Sequence, residues 1–342
     1  MRRPPTSLRV LAMGLLVTAA LTACGRSDDR PVALPECLDL AAVYAITGPE
    51  SVGQFSWSDV RGLADELGSP FAAEFPSAPL QIYGPGEESG TFDSFTELAI
   101  EGLAEERGVE EANWLPRPDY ISSPNDNVII DGVGGTRGSF GWVGHAFATE
   151  NADTVRAFAV AGEDGTCVTP TDEAIADGSY PLARDLYVYV NTERAADDPA
   201  VAAYVDGYLG DTGLQAVSDA GYVALADDAW AETQAAWAAA GGAPGEPDEG
   251  VSGEVLVSGS STVEPISSLV AERFSQDNPS AGVSVDGPGT GDGFELFCAG
   301  ETDVSDASRP IEDEERAACG AAGVEFVELK VGIDGLSLVT RS

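Results

Sequence analysis

A chain of 342 residues can hold one large domain or two of ordinary size, and with 43% apolar and 22% charged residues it can bury a core. Acidic residues outnumber basic ones 58 to 17, a formal charge of −41, which argues against nucleic acid and anionic membrane surfaces as partners, because both are held through Lys and Arg. The single histidine, His145, excludes a multi-His metal site and leaves a Ser-His-Asp hydrolase one candidate base, while the only lysine, Lys330, follows no GxxxxGK[ST] and so excludes a P-loop nucleotidase.

In chain order, the first element is an address. Met1 to Ala23 has an Arg-rich start and an apolar run from Val10 to Leu21, about a dozen residues and too short for a bilayer core of roughly 30 Å. Its end, Leu21-Thr22-Ala23-Cys24, resembles a bacterial lipobox. That implies a signal peptide over 1–23, lipidation at Cys24, and residence on the outer face of the cytoplasmic membrane, held by lipid only. The alternative is an ordinary signal peptide that ends near a cysteine. Residues 24–36 read as a polar tether. Removal of 1–23 takes Arg2, Arg3 and Arg9 with it and leaves 14 basic against 58 acidic residues, or −44.

Short β-type runs then alternate with amphipathic stretches, the α/β pattern. Leu80–Tyr83 reads as a strand, followed by Gly84-Pro85-Gly86-Glu87-Glu88-Ser89-Gly90-Thr91 and a helix with Phe92, Phe95 and Leu98 on one face. Asn125-Asp126-Asn127 reads as a turn and N-cap, Val128–Ile130 as a strand, and His145 as a structural residue. Leu186–Val190 is a further strand, and residues 238–250 (AAAGGAPGEPDEG) are the clearest linker. Beyond it, strand Val255–Val257 leads through Ser258-Gly259-Ser260-Ser261-Thr262-Val263-Glu264-Pro265 into a helix with Ile266, Leu269, Val270 and Phe274. Ser261 and Glu264 have capping-box spacing and Pro265 suits a first turn. Strand Val283–Val285 leads through Gly287-Pro288-Gly289-Thr290-Gly291-Asp292-Gly293 to a helix with Phe294 and Phe297. Ser305-Asp306-Ala307-Ser308-Arg309-Pro310 precedes an acidic first turn, Glu312 to Glu315. The tryptophans read as core or helix-face residues.

Beyond Cys24 four cysteines remain: Cys37, Cys167, Cys298 and Cys319. An even count in an exported chain favours two disulfides. Of the three pairings, Cys298–Cys319 is favoured because these two are closest in sequence and flank one motif block, which leaves Cys37–Cys167. No CxxC spacing points to redox or zinc chemistry.

Four of these turns share one chemistry: hydroxyls and free backbone N–H groups at helix starts, loosened by glycine. The first N–H groups of a helix lack intrahelical acceptors and lie at the positive end of its dipole, so they suit an anion. A single such turn is ordinary N-capping; four that converge would surround a small tetrahedral oxyanion.

The blocks GSSTVEP, GPGTGDGFELFCAGETDVSDASRPI and DGLSLV resemble the opening third of the phosphate-binding lipoproteins of phosphate-specific ABC transporters, the PstS family. CLDLAAVYAITGPES, LQIYGPGEESGTFDSFTE, SPNDNVIIDGVGG and YPLARDLYVYVN resemble the remaining two thirds. The resemblance implies a two-lobed, periplasmic-binding-protein-like (type II) α/β fold with the ligand cleft between the lobes. The order of the blocks is inverted relative to the family, as a circular permutation would leave it, with 238–250 joining the family's usual ends. The rival account is two incomplete copies completed by exchange between molecules. On the permuted mapping one lobe spans 37–182 and carries the SGT loop. The other spans 183–342 and carries the GSSTV, GTGDG and ASRP loops. The only covalent crossing then lies near Tyr180–Leu186.

Carried over by position, the resemblance implies a phosphate site made of Thr262 and the Val263 N–H, with Ser261 capping beside them; Thr290 with the Gly291 N–H; Ser308 with Arg309 as charge partner; and Ser89, Gly90 and Thr91 opposite. Relatives often place an arginine shortly before SGT, where this chain has Gly84-Pro85-Gly86, so the weight falls on Arg309. Asp292 is the first candidate to accept the proton of a P–OH group, and Asp306 the second. The implied activity is capture of inorganic phosphate by a monomer for a permease and its ATPase, without a reaction, cofactor or metal. Rival readings are a sensor or scavenger uncoupled from transport, and a phosphate-ester hydrolase.

Overall fold

The computed structural model describes Met1 and residues 32–245 and 250–342; the rest of the expected signal peptide, most of the tether with Cys24, and the centre of the expected linker lie outside the described residues. In chain order the strands are β1 (Cys37–Leu38), β2 (Gln81–Gly84), β3 (Ile121–Ser122), β4 (Ser139–Gly144), β5 (Val155–Ala157), β6 (Ala159–Ala161), β7 (Cys167–Val168), β8 (Ala183–Asn191), β9 (Ser252–Gly259), β10 (Ser280–Asp286), β11 (Val304–Ala307) and β12 (Phe326–Arg341). Nine of them form one sheet in the order β10-β9-β11-β8-β12-β4-β2-β3, with β5 also on β12; β1, β6 and β7 form a small second sheet. Helices cover the faces, so β8 and β12 run through the interior with nearly unbroken buried stretches, the pattern of strands covered on both sides.

The long strand β12 decides the architecture. Its first half pairs antiparallel with β8, from Phe326 opposite Asn191 to Gly335 opposite Ala183, with a register shift between Lys330 and Gly332. Its last residues, Leu336–Arg341, pair with β4 and β5. The C-terminal segment therefore passes from the half of this sheet that carries the GSSTV loop into the half that carries the SGT loop. This corrects two expectations. Residues 336–341 join the lobe of 37–182, and two covalent crossings link the lobes, near Leu182–Leu186 and near Gly332–Leu336. The cause is that apolar Leu336, Leu338 and Val339 are all fully buried and find their partners on β4 and β5.

Two local expectations change as well. Val128–Ile130 lies in the helix Asp126–Gly135 rather than in a strand. The Asn125 side chain accepts from the Asn127 N–H and starts the helix, which buries Ile129, Ile130 and Val133 along one face. The capping box falls at Glu312 and Glu315, ahead of the helix Asp313–Ala322; the helix Glu264–Asp277 begins after Val263 with no side-chain cap, because the Ser261 hydroxyl is committed to Asp93 at 2.5 Å.

The disulfides are Cys37–Cys167, joining β1 to β7, and Cys298–Cys319, joining the helices Thr290–Cys298 and Asp313–Ala322. His145 is buried between Ser337 (3.2 Å) and Asp172 (3.0 Å). Among the described residues, no helix is long and apolar enough to cross a membrane.

Candidate functional site

Strands β9, β10 and β11 are neighbours and parallel, so their carboxyl ends open on the same side of the sheet, the edge where ligands sit in open α/β structures. β9 ends in Ser260-Ser261-Thr262, β10 in Gly287-Pro288-Gly289-Thr290, and β11 in Ser308. From the other lobe, β2 delivers Ser89-Gly90 to the same place. Together they line a cleft of about 840 Å³ that includes Ser89, Gly90, Ser260, Ser261, Thr262, Thr290 and Ser308. Strand order gathers the loops after β9, β10 and β11; the loop after β2, five strands away from β9, meets them through the close approach of Gly90 to Thr262.

The loops are tied to one another. The Ser308 N–H donates to the Thr290 hydroxyl oxygen at 3.2 Å, and the two hydroxyls lie 3.1 Å apart. Gly289, with φ of +122°, turns the chain into the helix Thr290–Cys298, whose start carries no side-chain cap, so its first N–H groups remain available to a ligand. Across the cleft, Ser89 caps the helix Gly90–Thr96 through the Thr91 N–H. A side chain at Gly90 would come within 3.0 Å of the Thr262 backbone; glycine is what allows the two lobes to meet there.

Other expected residues take different places. Val263 is buried and its N–H donates to the Ser260 carbonyl at 3.1 Å. Thr91, Gly291, Asp292 and Arg309 do not line the cleft. Asp292 is exposed in a first helical turn, where a carboxylate complements the helix dipole. Asp306 lies fully buried beneath the loops: its backbone carbonyl accepts from Ser260 N–H at 2.9 Å, and its carboxylate accepts from the Ser267 hydroxyl at 2.9 Å. Burial pushes its carboxyl up to about 7. The Arg309 guanidinium grips Glu315 at 2.7 and 2.9 Å, lies 3.4 Å from Glu312 and stacks over Phe294.

The guanidinium joined to the cleft wall is Arg184, at the start of β8. Its side chain is 8% exposed. It donates to the Thr262 hydroxyl at 2.8 Å and the Ser94 hydroxyl at 2.6 Å, and forms a close ion pair with Glu97. Its Nε lies 3.5 Å from Asp334, its ladder partner on β12; Ser94 donates to the same carboxylate. One side chain thus links both crossing strands, both lobes and the loop after β9. Sequence reasoning missed it, although the signal was present: an arginine at the head of the apolar run of YPLARDLYVYVN.

The cleft is strongly acidic. Among the described residues, the lining carries Glu87, Glu88, Asp93, Glu97, Glu101, Glu111 and Glu264, and no Lys, Arg or His. Burial, outweighing Arg184, holds the Glu97 carboxyl above the usual carboxylate range, and Asp93 adds to it. Glu101 is raised by burial and by Glu97.

The chain matches the model of the PBP superfamily domain over residues 37–211 and 244–342. It is 36% identical over 158 residues to protein SphX of Synechocystis sp., covering 46% of this chain and 44% of that protein. It is 44% identical over 161 residues to the phosphate-binding protein PstS of Staphylococcus saprophyticus, covering 47% and 46%. The chain thus spans about half the length of the curated relatives it matches. Among solved structures it resembles the phosphate-binding protein of a phosphate ABC transporter from Streptococcus pneumoniae TIGR4, with a TM-score of 0.58 at 17% identity over 77% of this chain and 89% of that one, a likeness of fold. With its continuous sheet, its two crossing strands and a match over most of its length, this chain belongs to the PBP superfamily.

Proposed function

We propose that this protein is an extracytoplasmic solute-binding protein that captures inorganic phosphate between its lobes and presents it to an ABC importer, its work being binding and closure without a reaction. The observation that carries this reading is the convergence of Ser89, Thr262, Thr290 and Ser308, from four separate loops, on one cleft, with Arg184 hydrogen-bonded to Thr262. Hydroxyls and uncapped helix N–H groups suit a compact oxyanion. In this reading Arg184, which reaches the cleft wall through Thr262, takes the role expected of Arg309, which is paired with Glu312 and Glu315. Thr91, Val263, Gly291 and Asp292 then shape the loops around the ligand, and Asp306 holds the loops from beneath.

The chain is a monomer anchored by lipid at Cys24 after removal of residues 1–23, on the outer face of the cytoplasmic membrane. Its lobes are 37–182 with 336–342, and 183–335. A circularly permuted order fits the half-length matches to relatives, because a collinear alignment can follow only one of two exchanged blocks. The stretch 243–245 is held on Asp206, by Ala243 N–H to its carboxylate at 2.7 Å and Gly245 N–H to its carbonyl at 3.0 Å, as a docked joining segment would be.

Calorimetry of the unlipidated protein with phosphate and with sulfate tests the reading. Phosphate binds with 1:1 stoichiometry and is preferred to sulfate, and Arg184→Met weakens it roughly 30-fold or more, the scale for removing one partner of a buried charge pair. Equal phosphate affinity in Arg184→Met, or no binding to the wild type, contradicts it.

A further inference from the structure

The cation best placed to hold an anion is already occupied. Arg184 meets Thr262 on one side and the Glu97 carboxylate on the other. Glu97 lines the cleft and its side chain is 41% exposed, so it has solvent to swing into. It also opens a π-helical turn, Glu97–Glu101, between the helices Gly90–Thr96 and Gly102–Glu106. Such turns are rare and frequent at functional sites. Thr96, directly before that turn, is buried, lines the cleft, and its hydroxyl has no hydrogen-bond partner.

Resting on the phosphate reading above, we propose that Glu97 is a resident counter-ion of Arg184: it fills the anion's place in the ligand-free cleft, and phosphate binds by displacing it.

The physical reason is charge balance. Arg184 faces Asp334 from β12 and Glu97 from the opposite lobe. Glu97 is faced in turn by Asp93 on its own helix, by Glu101 one turn on, and at longer range by Arg309 from the loop after β11; Glu111 stands beside Glu101. An arriving anion must therefore share one guanidinium with a carboxylate and enter a field of others. Swinging Glu97 toward solvent frees the Arg184 donors but leaves a repelled negative charge at the rim. Protonating it removes both the competition and the repulsion. Capture is then linked to proton uptake, and affinity falls as pH rises and Glu97 ionises. The resident carboxylate also excludes weakly held anions, since only a ligand that satisfies Thr262, Thr290, Ser308 and Arg184 together outcompetes it.

The test compares the wild type with Glu97→Gln for phosphate affinity from pH 5 to pH 8.5 at fixed ionic strength. The ionisation of phosphate is common to both proteins and cancels in the ratio. The expected result is that Glu97→Gln binds about tenfold tighter at pH 8, with the advantage shrinking toward pH 5. Glu97→Ala, which cannot hydrogen-bond Arg184, gives the same direction, and thermal melts establish that each variant is folded. Equal or weaker binding by both folded variants at pH 8 overturns the proposal while leaving the phosphate reading intact; weaker binding alone would assign Glu97 to the ligand as an acceptor. Failure of the wild type to bind phosphate at any pH overturns the phosphate reading itself, and the counter-ion proposal with it.

Discussion

Arg184 and Arg309 show how a residue's role follows from its neighbours. Both are arginines beside loops that meet at the cleft. Arg309 lies within reach of the Glu312–Glu315 turn and is spent on it, whereas Arg184 is drawn inward by Asp334 and reaches Thr262. Asp306 is the sharper case. Its carboxyl is raised from 3.8 to about 7 by burial, against the opposing bond from Ser267, and one of its oxygens has no partner. The folded protein thus keeps a proton that the unfolded chain loses above about pH 4, so this residue's contribution to stability falls as pH rises from about 4 to 7 and is level beyond. Asp306→Asn removes that loss. Its melting temperature rises relative to the wild type between pH 5 and pH 8, on the scale of a few kcal/mol; parallel curves for the two proteins refute the assignment. Neither environment is legible in the local sequence, because each depends on which strand lies alongside.

At the scale of elements, the glycine-rich turns were readable. A β-type run, a turn with Ser or Thr among glycines, then an apolar stripe at helical spacing located the loops after β2, β9 and β10. The fourth turn was misread in one respect: Ser308 follows β11 directly, and the helix beyond starts at Asp313 with its own capping box, so no helix N-terminus points past Ser308. The run Val128–Ile130 misled because three apolar residues fit a strand or a helix face equally well, and the Asn125 cap decided between them. The contact between Gly90 and Thr262 belongs to this scale. Gly90→Ala places a methyl 3.0 Å from the Thr262 backbone and wedges the lobes apart at a cost of roughly 1–3 kcal/mol. Phosphate affinity falls about tenfold, while the ligand-free melting temperature stays within a few degrees because the lobes can part. A large drop in that temperature would show instead that the contact stabilises the ligand-free fold.

For the whole molecule, the acidic surface and the acidic cleft act together on encounter but differently on retention. Charges in water are screened over about 8 Å at physiological ionic strength, whereas hydrogen bonds inside a closed cleft are hardly screened. Association with phosphate therefore quickens as salt rises from about 20 to 200 mM, with dissociation little changed; stopped-flow measurement of a flat or falling on-rate contradicts this. Mechanically, two covalent crossings carry the lobes, and the paired strands β8 and β12 form them side by side, which suits hinge closure around a ligand. The expected single crossing was wrong because the point at which the chain leaves one lobe cannot be located from the order of motifs.

By itself the sequence determined the chemistry on offer: hydroxyls and glycine-loosened helix starts that suit an anion, an α/β frame, and the exclusion of metal-cluster and P-loop chemistries. These follow from residue type and short-range spacing, which local sterics and hydrogen bonding translate directly into turns and helices. Only the tertiary structure decided that Arg184 is bonded to Thr262 of the cleft wall and paired with Glu97, that Asp306 is buried beneath the loops, and that β12 joins both lobes. Each of those depends on contacts between residues dozens to hundreds of positions apart, and burial and ion pairing are properties of that packing rather than of any local segment.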